Sequence, residues 1–267
     1  LILSHRYYSS KGGLPLIILH GLFGAGINWK SMAGRLSAHR PVYTFDLRNH
    51  GESPHDSRLD YTSMAADVAE TCGQLGIAKA VFLGHSMGGK CAMQLVLDHP
   101  DLAAALVVVD IGPARNPARL EGVVKALAGL DLAKVERRGD ADRLLSGAIP
   151  DRRVRNFLLQ NLRREQGGSR RVYGWRFNLP VIAEKLDNVW APVNGKERVN
   201  RLPALFISGA ESDYLDDGQR EEALSLFPSA RFSGVPGAGH WVHADSPDSF
   251  YRTAADFLEE QLLDSFR

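Results

Sequence analysis

Gly84-His85-Ser86-Met87-Gly88 sets a serine between two glycines in the pattern G-x-S-x-G, a spacing that can carry nucleophilic chemistry. The pattern alone is weak, because 26 glycines and 19 serines in 267 residues make about 0.2 such matches expected by chance. Its setting is stronger. Val81-Phe82-Leu83 reads as an apolar strand, and a helical pattern runs from Met87 to Leu97, so Ser86 falls on a strand–turn–helix corner. Glycines two before and two after the serine serve a turn too tight for side chains, and Gly89 lets the helix pack close to the sheet. The start of that helix presents unpaired N–H groups and a positive dipole end, suited to an oxyanion, so the Met87 N–H is one expected donor. The second is expected from the loop His20-Gly21-Leu22-Phe23-Gly24: the Leu22 N–H, with that of Phe23 as the alternative.

A serine nucleophile needs a general base and a carboxylate that orients it. Of nine histidines, His240 is the candidate: it lies on the loop Gly237-Ala238-Gly239-His240 after the last expected strand, as the chain order serine, acid, histidine requires. Its neutral form must accept the serine proton, so activity is expected to fall in acid, near pH ~6.5 for an ordinary histidine. His243 follows three residues on, but no third ligand stands at metal spacing and no metal is expected. His20, His50, His85, His99 and His243 are read as packing residues. Two aspartates stand at strand ends where the acid belongs. Asp213 follows the late strand, yet the usual G-x-x-D spacing counted from Gly209 lands on Ser212. Asp110 ends the strand after the nucleophile helix. Spacing leaves the choice between them open.

These residues need a frame. Apolar runs at 14–19, 42–47, 80–83 and 106–110 alternate with helical patterns carrying Trp29, Met32 and Leu36, then Met64, Val68, Cys72 and Leu75. Such alternation predicts an α/β fold with a mostly parallel central sheet flanked by helices. Strands resume at 204–208 and 230–235, with a helix near 218–226 between them and a last helix opened by Ser246 and Pro247. Between Gly112 and about Arg201 strand signals vanish and helical spacing takes over. The organisation read from this is a core of residues 1–111 and 202–267 with a helical cap, 112–201, inserted in it and hinged at Gly112-Pro113 and at 192–195.

Composition excludes more than it assigns. A hydrophobic content of 44% and 24% charged residues suit a globular domain, and a net charge of +1 offers no general field for nucleic acid or anionic lipid. The longest apolar runs fall short of the roughly 20 residues of a spanning helix, so no membrane insertion is expected. No signal segment is recognisable, and the cytoplasm is the default location. Cys72 and Cys91 lie on apolar helix faces and are read as core. The polar stretch from Asp46 to Pro54 is read as a loop whose Arg48 and Asn49 bond neighbouring backbone. Nine arginines against two acids between Arg143 and Arg176 are read first as a solvated helical face, and second as a phosphate-receiving rim.

His20-Gly-Leu-Phe-Gly, Asp46-Leu-Arg-Asn-His-Gly-Glu-Ser-Pro54, Gly84-His-Ser-Met-Gly-Gly-Lys90, Val109-Asp-Ile-Gly-Pro113 and Gly239-His-Trp-Val-His-Ala244 resemble the YbfF-type esterases. These are a bacterial α/β-hydrolase group related to mitochondrial abhydrolase-domain proteins. Trp175-Arg-Phe-Asn-Leu179 and Ser212-Asp-Tyr214 are similar to that group as well. The resemblance implies the α/β-hydrolase fold, action on short-chain esters and acyl-CoA thioesters, and an aspartate in the D-I-x-P context, which favours Asp110 with Asp213 as the alternative acid. The reading is therefore a serine hydrolase of carboxylic esters or acyl thioesters, acting through an acyl-enzyme on Ser86 with His240 and without cofactor. Phe23, Trp175 and Trp241 are assigned to the substrate pocket. Alternatives are a carbon–carbon bond lyase or synthase using the same triad, or a hydrolase fold kept for binding alone. Oligomeric state and physiological substrate are not written in these patterns.

Overall fold

A parallel strand that is apolar at successive positions needs cover on both faces. A computed structural model describes the chain apart from residues 11, 168–169, 196–198, 200 and 265–267. Its strands are β1 (His5–Tyr8), β2 (Leu16–Leu19), β3 (Val42–Phe45), β4 (Ala80–His85), β5 (Ala103–Val109), β6 (Leu162–Gly167), β7 (Arg170–Trp175), β8 (Ala204–Gly209) and β9 (Ala230–Val235). Its helices are α1 (Lys30–Leu36), α2 (Tyr61–Gln74), α3 (Met87–Asp98), α4 (Glu121–Ala128), α5 (Arg138–Leu145), α6 (Arg152–Leu159), α7 (Leu179–Glu184), α8 (Leu186–Trp190), α9 (Asp217–Leu226), α10 (Val242–Asp245) and α11 (Pro247–Asp264).

Seven strands form one sheet in the order β1-β3-β2-β4-β5-β8-β9, parallel throughout except for β1, which pairs antiparallel with β3. Side chains alternate between two apolar layers. Ile17, Leu19, Phe82, Leu106 and Val108 pack with Met64, Val68, Cys72 and Cys91 of α2 and α3. Leu16, Ile18, Val81, Leu83, Val107 and Val109 pack with Met32 and Leu36 of α1 and with Phe250, Ala254 and Phe257 of α11. Both cysteines are free and buried, and burial pushes the Cys72 thiol up to about 12, so they act as small apolar groups. Truncating a ring such as Phe250, wholly inside its layer, would cost about 3–5 kcal/mol.

Two features depart from the sequence expectations. The edge strand β1 is short and polar, His-Arg-Tyr-Tyr, and carries no apolar run. The segment between β5 and β8 is not wholly helical: besides α4 to α8 it holds the antiparallel hairpin of β6 and β7. Leu-Arg-Arg-Glu-Gln-Gly has no alternation of apolar and polar residues, so a strand there leaves no periodic signal.

Candidate active site

The candidate side chains Ser86, Asp110 and His240 gather where β4, β5 and β8 end. Ser86 links β4 to α3 with φ 53° and ψ −121°, and its N–H donates to the Val109 carbonyl at 3.0 Å. Two glycines make the corner possible: a Cβ on Gly84 would lie 2.1 Å from the Gly88 carbonyl oxygen, and one on Gly88 would lie 2.4 Å from that of Leu19. Among the described residues four non-glycine residues have positive φ: Phe23, Asn49, Ser86 and Asp110. Three of them belong to the site, where backbone strain of about 1–3 kcal/mol per residue is tolerated because the surroundings enforce it.

Asp110 directly follows β5 and is fully buried. Its Oδ2 lies 2.7 Å from His240 Nδ1, and His240 Nε2 lies 3.1 Å from Ser86 Oγ. Asp110 is held from both sides: Oδ1 accepts from the Gly209 N–H at 3.0 Å and Oδ2 from the Ser212 hydroxyl at 2.5 Å. Asp213 is elsewhere. Its carboxylate faces solvent, bound in bidentate fashion by Arg119 at 2.5 and 3.0 Å, and that guanidinium holds its pKa below the usual carboxylate value. Ser212, at the position where the common spacing puts an acid, instead donates to Asp110 at the end of the neighbouring strand. Tyr214 stacks on the His240 ring at 3.9 Å, and the Arg119 guanidinium lies over the Tyr214 ring at 4.5 Å from its centre. Spacing marks the position of Ser212 but not its bond to Asp110, and it does not mark Tyr214.

The loop after β2 closes against Ser86, since a Cβ on Gly21 would come within 3.3 Å of Ser86 Cβ. The Phe23 N–H donates to His50 Nε2 at 3.2 Å, which removes it as a free donor. Among the described residues the Leu22 and Met87 N–H groups donate to no protein acceptor. The neighbouring histidines hold backbone. His50 donates from Nδ1 to the Arg48 carbonyl at 2.9 Å; His20 accepts from the Leu47 N–H at 2.9 Å and donates to the Gly21 carbonyl; His85 donates from Nε2 to the His240 carbonyl at 2.8 Å. His243 stacks on Trp29 at 4.0 Å. Burial keeps all four neutral, lowering His50 to about 3, His243 to about 4, His85 well below its ordinary value, and His20 in the same direction. Among the described residues no three metal-ligating side chains converge.

A cavity of about 100 Å³ surrounds Ser86 and His240, walled by Leu22, Phe23, Leu120, Val123, Trp190 and Trp241 among others. Trp175 is not among its walls. It stacks on Phe177 at 5.2 Å, which in turn packs on Phe23, so the hairpin position that sequence likeness assigns to the pocket supports a pocket residue at one remove.

The segment bearing Trp190 is tied down by polar side chains of the core. Lys90 of α3 is buried and donates to the carbonyls of Ala114 at 2.7 Å, Ala191 at 2.7 Å and Trp190 at 3.4 Å, so one ammonium bridges both ends of the inserted segment. Burial, with repulsion from Arg115, lowers it to about 7. Asn49 accepts from Asn178 Nδ2 at 3.1 Å and donates to the Arg58 carbonyl at 3.0 Å. Arg48 meets its expected backbone role in one bond, to the Ser63 carbonyl at 3.1 Å, but its main partner is the buried Asp67 carboxylate, at 2.6 and 2.8 Å. Among the described side chains between 143 and 176, Arg143 faces Asp140, Arg153 faces Asp245, Arg155 faces Asp142, and Arg163 and Arg176 both face Glu52; the side chains of Arg170 and Arg171 lie outside those described.

With this geometry in place, comparison with known proteins identifies the family. A model of the α/β-hydrolase fold matches residues 15–247. The chain belongs to the α/β-hydrolase family. It is 38% identical over 266 residues to the sn-1-specific diacylglycerol lipase ABHD11 of Danio rerio, covering 96% of this chain and 82% of that one. It is 34% identical to the esterase YbfF of Escherichia coli, over 92% of this chain and 93% of that one. Among solved structures, a marine microorganism esterase superposes with a TM-score of 0.92 at 36% identity, over 96% of this chain and 99% of the other. No helix among the described residues is long and apolar enough to cross a membrane.

Proposed function

We propose that this α/β-hydrolase cleaves carboxylic esters, and by the same steps acyl thioesters, through an acyl-enzyme on Ser86. The observation that carries the reading is the hydrogen-bonded line from Ser86 Oγ through His240 to Asp110. The His240 Nδ1–H donates to Asp110, which leaves the Nε2 lone pair to accept the Ser86 proton as Oγ attacks the acyl carbon. The Met87 and Leu22 N–H groups, free of protein acceptors, receive the oxyanion. His240 then gives its proton to the leaving oxygen or sulfur. A water enters, loses a proton to His240, attacks the acyl carbon and releases the acid, and Ser86 takes the proton back. Asp110 stays ionised throughout, holding the imidazole in one tautomer and stabilising its cation.

Residues 112–201 act in this reading as a cap, supplying the apolar wall of Leu120, Val123, Val189 and Trp190 that suits an acyl chain. The relatives named as lipase and esterase support the substrate class. The test combines a fluorophosphonate probe with a panel of p-nitrophenyl esters and acyl-CoAs of graded length. Wild type should label and turn over, and Ser86→Ala should lose both. Turnover retained in Ser86→Ala would overturn the mechanism, and a wild type that neither labels nor turns over would mark a fold kept for binding alone.

A further inference from the structure

The catalytic cavity, at about 100 Å³, is smaller than the ~300–1,000 Å³ of clefts that enclose whole small-molecule ligands. A second concavity of about 970 Å³ lies beside it. Asn28, Phe157, Trp241 and His243 wall both. Beyond that shared partition the larger groove is built from α1, α6 and the junction of α10 with α11. The groove is the concavity next to the inner cavity, separated from it by these four side chains, so it is the space open to a substrate too large for the inner cavity once they yield.

Which end of the substrate extends is set by the chemistry. His240 must protonate the departing oxygen, so the alcohol portion lies on the histidine side of the scissile carbonyl and the acyl portion on the other. Trp241 and His243 follow the base in the chain and face both cavities, whereas Leu120, Val123 and Trp190 line the inner one alone. Resting on the ester-hydrolase reading above, we infer that the substrate is divided: a short acyl group in the inner cavity, and an extended, uncharged aliphatic alcohol in the groove between α1 and α6.

The groove's own pairing argues for an uncharged occupant. Ile27, Met32, Phe157 and Trp241 provide apolar surface. Its arginines are engaged by the protein: Arg35 pairs with Asp248 at 2.8 Å, and Arg153 pairs with Asp245 while lying over the Trp241 ring. An anionic leaving group would have to displace those carboxylates or rely on Lys30 alone, the one cation of the lining without an ion pair among the described residues. An alkyl chain displaces only water.

Two ester series test the division. Ethyl esters from acetate to octanoate lengthen the acyl side, and butyrate esters from ethyl to octyl lengthen the alcohol side. The expected result is that kcat/KM falls by about tenfold or more along the first series, while KM holds or falls along the second. Gly34→Trp adds a direct probe, because a Cβ at Gly34 meets nothing within 4 Å and a ring there enters the groove. It should raise KM for octyl butyrate by about tenfold relative to KM for ethyl butyrate, with an unchanged melting midpoint reporting an intact fold. Tolerance of long acyl chains with rejection of long alcohols, or an equal effect of Gly34→Trp on both butyrates, would overturn the division. Failure to turn over any ester, with no phosphonate labelling of Ser86, would overturn the underlying hydrolase reading as well.

Discussion

Acid should destabilise this protein well before its carboxylates protonate, because its site is surrounded by histidines buried in the neutral form. His50 is lowered to about 3 and His243 to about 4, mainly by burial, against an ordinary value of 6.5. The unfolded chain takes up a proton on each as pH falls below 6.5, while the folded chain does not until near 4 or 3. Unfolding is therefore coupled to proton uptake, and stability present above pH 6.5 is lost as pH falls through that window. At pH 5 each histidine accounts for about 2 kcal/mol, and the pair for about 4 kcal/mol, out of a typical total of ~5–15 kcal/mol. His85 and His20 act in the same direction. Urea unfolding at pH 7, 6 and 5 measures the loss. His243→Phe keeps a ring to stack on Trp29 but cannot titrate, so its stability should fall with about one proton's slope less than wild type. A wild-type stability constant within about 1 kcal/mol from pH 7 to 5, or an identical slope in the variant, would show that these histidines are not buried neutral.

Three further outcomes follow from the hydrogen bonds. Ser212→Ala removes one of the donors on Asp110 and should lower kcat about tenfold, equivalent to ~1.4 kcal/mol, read from steady-state hydrolysis of p-nitrophenyl butyrate. Lys90→Met orphans the carbonyls of Ala114, Trp190 and Ala191 and should cost about 3 kcal/mol, lowering the melting midpoint by roughly 6–12 °C in calorimetry. If the paired arginines of residues 143–176 are structural, KM for an acyl-CoA and for a neutral ester should respond alike to added salt; a rise confined to the acyl-CoA would assign them to its phosphates.

The elbow at Ser86 was legible because a tight corner demands glycine two residues to either side, and that demand is written as residue type. The buried strands were legible for the same kind of reason: four to seven apolar residues in succession leave few alternatives. The acid was harder. Asp110 and Asp213 both follow strands, and what separates them is the lateral placement of β5 and β8 and an ion pair to Arg119, 94 residues away in the chain. Nothing in local spacing encodes a partner at that distance. Ser212 and Tyr214 were noticed as positions, one by spacing and both by likeness, but their contacts with Asp110 and His240 were not legible for the same reason, each being defined by what it meets from another strand or loop. The hairpin of β6 and β7 escaped because charged residues at consecutive positions match no period, and Trp175 read as a pocket residue because an aromatic in a shared motif does not say whether it lines a cavity or braces the residue that does.

If Ser86, His240 and Asp110 work as one unit, two isosteric substitutions at the competing aspartates should part widely in their effects. Asp110→Asn preserves shape but no longer holds His240 in the tautomer that accepts the Ser86 proton, so kcat for a short-chain ester should fall by about 10³–10⁴. Asp213→Asn breaks only an exposed pair with Arg119 and should leave kcat within about threefold. The reverse ranking, or an Asp110→Asn enzyme with unimpaired turnover, would contradict the assignment.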